Sequence, residues 1–309
     1  GILKLAAVLE KGGVAVEMMD LSGVENYDAA MKLHAVNSRA SCFGITATTP
    51  QLPAACKIAK SIREAKPDAK IILGGPHVTL VSAASKKEAK RNFTGRATKA
   101  LKILKKIFDV LVAGDGEEAI FKALEKDPPK LIDADDPKSP LFLDNTRLNK
   151  LPYPARHLID AGSYHYNIES ERALSLIAQL GCPFECGVCG GRASPFLRKV
   201  RMRSIENIMG EMKLLYQTYG TKGFMLYDDE LNVNKQMISL MKAIRAAQND
   251  LGVRWLLRGF VKAELFTEEQ ALAMFEAGFR WMLTGFESGS PRILENINKI
   301  FLTPAENRP

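Results

Sequence analysis

The sequence predicts an α/β fold in two parts: a doubly wound, Rossmann-like parallel sheet, then part of a β/α barrel. Three observations predict it. Short apolar runs alternate with amphipathic stretches of about 10–15 residues, the pattern of a parallel sheet with helices on both faces. The Gly-rich and polar turns follow the apolar runs, at the carboxyl edge where open α/β sheets bind ligands. In the second half four strand–helix units succeed one another, as in a β/α barrel.

In chain order, Ile2, Leu5, Val8 and Leu9 recur at helical spacing and predict a helix over 2–11, stopped by Gly12-Gly13. Residues 14–20 read as a short strand, 27–37 as a helix, and 42–46 as a buried strand running into Thr48-Thr49-Pro50. A helix over 52–65 precedes a strand at 70–73, which ends in Gly74-Gly75-Pro76-His77. After a basic helical stretch, the strand at 109–113 ends in Gly114-Asp115-Gly116-Glu117-Glu118, with a helix over 117–126. Pro128, Pro129, Pro137 and Pro140 punctuate residues 127–172, read as a linker. Residues 173–181 form a buried strand. Helix 204–219, with Ser204 as N-cap, strand 222–227, helix 235–248, strand 253–259, helix 267–277 and strand 279–286 follow. The expected domains are therefore 1–126, 127–172 and 173–309, with sequence expected to be missing at both ends because the tail 301–309 does not continue the alternation.

A length of 309 residues suits about two domains. Hydrophobic content of 46% and charged content of 25% are those of a soluble globular chain. No apolar run is long enough to span a membrane, and no signal peptide is visible, so a cytoplasmic location and no membrane partner are expected. Much of the net charge of +8 lies over 86–106, among Lys86, Lys87, Lys90, Arg91, Arg96, Lys99, Lys102, Lys105 and Lys106. Aromatic residues for base stacking are scarce there, so a solvated helix face is expected in place of a nucleic-acid surface.

Three of the five cysteines, Cys182, Cys186 and Cys189, lie in Gly181-Cys182-Pro183-Phe184-Glu185-Cys186-Gly187-Val188-Cys189-Gly190, spaced C-x3-C-x2-C. This clustering argues for metal chemistry in a reducing compartment and against disulfides. Structural zinc and closed iron–sulfur sites take four protein ligands. A fourth is not nearby: Cys42 and Cys56 lie far upstream, and the histidines are His34, His77, His157 and His165. A zinc knuckle or three buried thiols is the competing reading. Three thiolates would leave one iron of a [4Fe–4S] cluster open to a chelating small molecule. The stretch resembles the signature of the radical S-adenosylmethionine (SAM) enzymes.

The first half resembles the cobalamin-binding domain that precedes many radical SAM barrels. The matching pieces are Gly1 to Gly13 with Val14 to Asp20, Gly44-Ile45-Thr46-Ala47-Thr48, Gly74-Gly75-Pro76-His77 and Gly114-Asp115-Gly116-Glu117. Leu151 to Arg156 resembles the bridging segment of such two-domain enzymes. A Rossmann-like domain without a cofactor is the alternative.

The resemblance implies the following roles. Cys182, Cys186 and Cys189 hold the [4Fe–4S] cluster. Thr46, Thr48, Thr49, Gly74, Gly75, His77, Gly114, Gly116 and Glu117 contact cobalamin, with glycines letting the backbone approach it. Val188 stands where an aromatic residue is usual, its backbone near adenine, while Glu287, Ser288 and Arg258 anchor the polar groups of SAM. Asp228, assigned here to SAM, and its neighbour Asp229 could face SAM, substrate or solvent, or cap a helix. Tyr227, Arg192 and Arg198 are candidates for the substrate side. No Asp-x-His-x-x-Gly motif is present, so no histidine of the chain is expected on cobalt, and His77 is expected away from the metal.

The family barrel has six units, so this is a partial (β/α)6 barrel. The implied function is a cobalamin-dependent radical SAM methyltransferase, moving methyl from SAM via methylcobalamin to a poorly reactive carbon. Alternatives are a cobalamin-dependent cyclase or rearrangement enzyme, a radical SAM enzyme modifying RNA or protein with a vestigial first domain, or an iron–sulfur electron carrier. Implied partners are a small-molecule substrate and an electron donor of flavodoxin or ferredoxin type.

Overall fold

The computed structural model describes residues 1–299; the tail read as 301–309 lies outside them. The chain divides into two compact units. The first is residues 1–143, 151–161 and 193–196; the second is 144–150, 162–192 and 197 onward.

The first unit begins with helices α1 (Ile2–Lys11) and α2 (Tyr27–Asn37). Strand β1 (Cys42–Thr46), α3 (Leu52–Ala65), β2 (Lys70–Gly74), α4 (Pro76–Lys90), α5 (Arg96–Ile107), β3 (Val110–Gly114), α6 (Gly116–Leu124) and β4 (Leu131–Ala134) follow. The sheet order is β1-β2-β3-β4, all parallel. Successive side chains point to opposite faces. Phe43, Ile71, Leu73, Leu111 and Ala113 therefore pack against α2, α3 and Leu104 of α5. Ile72, Val110, Val112, Ile132 and Ala134 pack against α6, with Leu5 and Leu9 of α1 beside them.

Two expectations change here. Residues 14–20 form no strand. Val16 and Met18 instead pack with Ala6, Ala7 and Ala155, so the apolar alternation is used against a helix and not in a ladder. The segment read as linker supplies β4, which pairs with β3 from Leu131 to Ala134.

The second unit contains α7 (Asn145–Lys150), β5 (Asn167–Ile168), β6 (Glu171–Leu176), β7 (Gln179–Leu180), α8 (Pro195–Arg198, which starts in the first unit), β8 (Arg201–Met202), α9 (Ile205–Tyr219), β9 (Gly223–Leu226), α10 (Met237–Leu251), β10 (Leu256–Phe260), α11 (Glu268–Ala277), β11 (Phe279–Leu283) and α12 (Pro291–Asn296). The main sheet runs β11-β10-β9-β6-β5, with β6, β9, β10 and β11 parallel and β5 antiparallel to β6. Leu176, Phe224, Leu226, Leu257 and Phe279 bury one face against α9, α10 and α11. This is the β/α barrel architecture, with its strand ends gathered at one edge.

Helix ends carry local signals. Ser204 caps α9 by accepting the Asn207 N–H, and Gly220 ends it in the left-handed region at φ 63°. Thr267 and Gln270 form a reciprocal capping box on α11. Gln248 accepts the Trp255 N–H at 2.6 Å and donates to the Ala277 carbonyl at 2.9 Å, tying α10 to the start of β10 and the end of α11.

Candidate functional site

The three clustered cysteines lie between β7 and β8, two short strands that pair antiparallel and close the base of the loop. Gly181 turns the chain at φ 83°, and a Cβ there would strike the Lys199 carbonyl, so glycine is required for this turn. The Cys182 N–H donates to the Leu197 carbonyl at 2.9 Å, and the Cys189 N–H to the Cys186 carbonyl at 3.0 Å. Arg192 bonds the Gly187 carbonyl, which ties the loop to itself. Cys182 and Cys186 are half-buried and Cys189 is exposed. Burial raises the Cys182 thiol above its usual value, with neighbouring Glu230 acting in the same direction. Among the described residues, no three His, Cys, Asp or Glu side chains converge as ligands of one ion. Single-ion zinc requires such convergence. A cluster takes each thiolate on a different iron, and the donor set it needs, three free thiols on one loop, is present in Cys182, Cys186 and Cys189.

At the carboxyl edge of the main sheet the chain builds a second polar site. Glu230 follows β9, Lys262 and Glu264 follow β10, and Glu287 follows β11. Lys262, 7% exposed, donates to Glu264 at 2.7 Å and lies 4.5 Å from the ring centre of Phe184, inside the cysteine loop. Lys299 reaches Glu287 at 3.2 Å and the Gly285 carbonyl at 2.5 Å. Burial pushes the Glu230 carboxyl up to about 7, against the pull of Lys262 and Lys299. One oxygen each of Glu230 and Glu264 is buried without a hydrogen-bond partner. A buried unpaired acceptor is costly, and it marks where a donor group fits. Sequence reasoning passed over Glu230, Lys262 and Glu264; their positions after strands two and three were the available signal.

The residues expected around SAM each have their own local surroundings. Glu287 is exposed, at φ 59°, and bonded to Lys299. The Ser288 hydroxyl accepts the Ser290 N–H at 3.1 Å. Val188 is exposed. Arg258 is not at a strand end: it lies mid-strand in β10, its guanidinium carbon 5.7 Å from the Tyr166 ring centre and 5.6 Å from that of Trp281. Asp228 is 1% exposed, and both its oxygens face backbone N–H groups of Ala178 and Gln179. It faces neither solvent nor an open edge. Tyr227 is exposed and meets Phe260 edge-on at 6.1 Å.

In the first unit the expected residues stand at strand ends and in the turns after them. Thr46, Thr48 and Thr49 are exposed where β1 ends. The Thr48 N–H and hydroxyl both turn to Gln51. Thr49 and His77 Nδ1 are 3.1 Å apart. His77 is 7% exposed and its Nε2 is buried with no partner, a polar atom suited to a ligand's polar tail. Gly114 ends β3 at φ 87°, Gly116 lies 3.1 Å (as a Cβ) from Leu5, and Glu117 stands half-buried in the first turn of α6.

Gly75 differs from its expected use. Its φ is 91°, and a Cβ would strike the Thr46 hydroxyl and stand 3.1 Å from the Ala47 nitrogen. The absent side chain makes room for the chain itself. Gly75→Leu is therefore expected to destabilise the first unit whether or not a ligand binds, measured as a lowered urea midpoint of the apo chain.

The comparisons agree with this anatomy. The B12 binding domain matches residues 1–105, and the radical SAM superfamily matches residues 176–303. An uncharacterized methyltransferase of Pyrococcus horikoshii is 28% identical over 264 residues, 85% of this chain and 55% of that protein. The anaerobic magnesium-protoporphyrin IX monomethyl ester cyclase of Cereibacter sphaeroides is 26% identical over 278 residues, 85% of this chain and 42% of that protein. The chain thus spans about half the length of these relatives. Among solved structures, the radical S-adenosylmethionine methyltransferase TsrM of Kitasatospora setae, with tryptophan and a SAM analogue, matches with a TM-score of 0.68 at 17% identity. It covers 94% of this chain and 57% of that one. The same enzyme with cobalamin and a [4Fe–4S] cluster gives 0.67. At that identity the likeness concerns the fold. No described helix is long and apolar enough to cross a membrane. The radical SAM domain implies a [4Fe–4S] cluster and SAM, and the B12 binding domain implies cobalamin. With both domains in this order on one chain, the protein belongs to the cobalamin-binding-domain-containing radical SAM family.

Proposed function

We propose that this chain takes part in methyl transfer from SAM to a poorly reactive carbon of a small molecule, with cobalamin as methyl carrier and a flavodoxin- or ferredoxin-type electron donor. The observation that carries the reading is a three-thiol loop beside a strand-end ledge of buried carboxylates, on the same chain as a B12 binding domain. Bound cluster, SAM and cobalamin would supply the radical and methyl-carrying chemistry. The chain's residues supply the holding. Cys182, Cys186 and Cys189 are the thiolates. Glu230 and Glu264 offer buried acceptor oxygens to a cationic amino group, and Lys262 holds Glu264 in place. Thr46, Thr49 and His77 face the polar tail of cobalamin. Two relatives named as methyltransferases support methyl transfer.

A second reading, ring closure without methyl transfer, is favoured by the cyclase matching 85% of the chain. Anaerobic reconstitution with iron, sulfide, cobalamin and SAM, followed by mass spectrometry of candidate substrates, separates them. A product gain of one methyl group supports the first; loss of hydrogen with no added carbon supports the second.

Glu230 gives a pH prediction. Its carboxyl titrates near 7 and must be ionised to receive an ammonium group. SAM affinity of the reconstituted protein is expected to rise from pH 6 to 8. Glu230→Gln should lower it by about tenfold and flatten the rise. Equilibrium dialysis reads both; an unchanged pH slope in the variant removes Glu230 from the SAM site.

A further inference from the structure

We infer that Asp228 and Asp229 are positioning residues that set the cysteine cradle before any cluster binds, an inference resting on the cluster reading of Cys182, Cys186 and Cys189. The chain just after β9 grips the segment leading to Cys182 at four consecutive points. The Tyr227 N–H donates to the Leu176 carbonyl at 2.8 Å, continuing the β6–β9 ladder. Asp228 then takes the N–H groups of Ala178 (3.3 Å) and Gln179, and Asp229 takes that of Gly181 at 3.1 Å. The Glu230 carbonyl accepts from the Gln179 side chain at 2.7 Å.

Segment 177–181 cannot satisfy these groups with a regular ladder, because β6 ends at Leu176 and β7 has only two residues. A buried N–H left unpaired is costly, and a carboxylate is the strongest acceptor available to it. Gly181 is the hinge: its φ of 83° admits only glycine here, and Cys182 follows it directly. The Asp229 bond on Gly181 N–H and the Leu197 bond on Cys182 N–H fix two successive peptide units. The first ligand of the loop is thus held on both sides by contacts that need no metal. A three-thiolate cradle demands this more than a closed site does, because it has no fourth protein ligand to restore its shape.

Asp229 is the residue to test, since it is exposed while Asp228 is buried. Asp229→Ala should leave the melting temperature of the apo chain near wild type. Exchange of the Gly181 amide, followed by hydrogen–deuterium exchange of the apo chain, should speed up by about tenfold. Release of cluster iron to a chelator from reconstituted protein should speed up to a similar degree. Asp229→Asn keeps an oxygen acceptor and should stay close to wild type in both. Wild-type iron release in Asp229→Ala overturns the inference, as does equal loss in both variants, which would assign the effect to charge. If wild type assembles no cluster, the cluster reading fails, while faster Gly181 exchange in the apo variant still supports the clamp. Should Asp229→Ala not fold, slowed exchange restored by Asp229→Glu relative to Asp229→Gly decides it, and no difference between those two overturns it.

Discussion

Replacing Cys182, Cys186 and Cys189 together with Ala is expected to yield, after anaerobic reconstitution, protein without the broad visible absorption of an iron–sulfur cluster. SAM cleavage should fall to background. The argument is one of donors. Three thiolates are the minimum that holds a cluster while leaving one iron open, and the other two cysteines, Cys42 and Cys56, lie on β1 and α3 of the first unit. The shape of the loop survives the change, because it is held by backbone bonds of Cys182, Cys189 and Gly187 and by the Gly181 turn, not by sulfur. Far-ultraviolet circular dichroism should therefore match wild type. Metal analysis of the anaerobically purified wild type is the check on the premise: zinc without iron would overturn it.

The cysteine loop was legible in the sequence because its information is local: spacing, a leading Gly and a preceding strand. The helices were legible for the same reason: their apolar spacing is local, and Ser204, read as an N-cap, does cap α9. Residues whose roles depend on distant partners were not. Asp228 binds backbone about fifty positions earlier, and nothing in Tyr227-Asp228-Asp229-Glu230 says which carboxylate turns inward. Gly75 looked like a ligand-facing glycine, but its need comes from Thr46 and Ala47, which only the folded sheet brings near. The four residues of β4, flanked by prolines, gave too short a pattern to stand out from a linker. Residues 14–20 had a strand's alternation, but a strand also needs a neighbour to pair with, and here the apolar side packs on α1.

Arg203→Met is expected to cost about 3–5 kcal/mol of stability, the usual result of breaking a buried ion pair from one side. Arg203 is 5% exposed as a side chain and bonds Glu211, 1% exposed, at 2.7 Å. It also donates to the Ile177 carbonyl at 2.8 Å and to Asn207 at 2.6 Å, and its charge stabilises the ionised form of Asp228. Burial already pushes Asp228 up to about 7, against the Gln179 and Ala178 N–H groups first and the more remote guanidinium last, so the direct partner of Arg203 is Glu211. Without it Glu211 loses its 2.7 Å ion pair in a buried place, and the Ile177 carbonyl loses a donor. Arg203→Met with Glu211→Leu removes both charges and should recover part of the loss, since an apolar pair of similar volume avoids desolvation. Recovery should stay incomplete because neither replacement reaches Ile177. Urea denaturation of the two variants at pH 7 gives both numbers. A single variant within 1 kcal/mol of wild type would show that the pair contributes little to holding the segment that delivers Cys182.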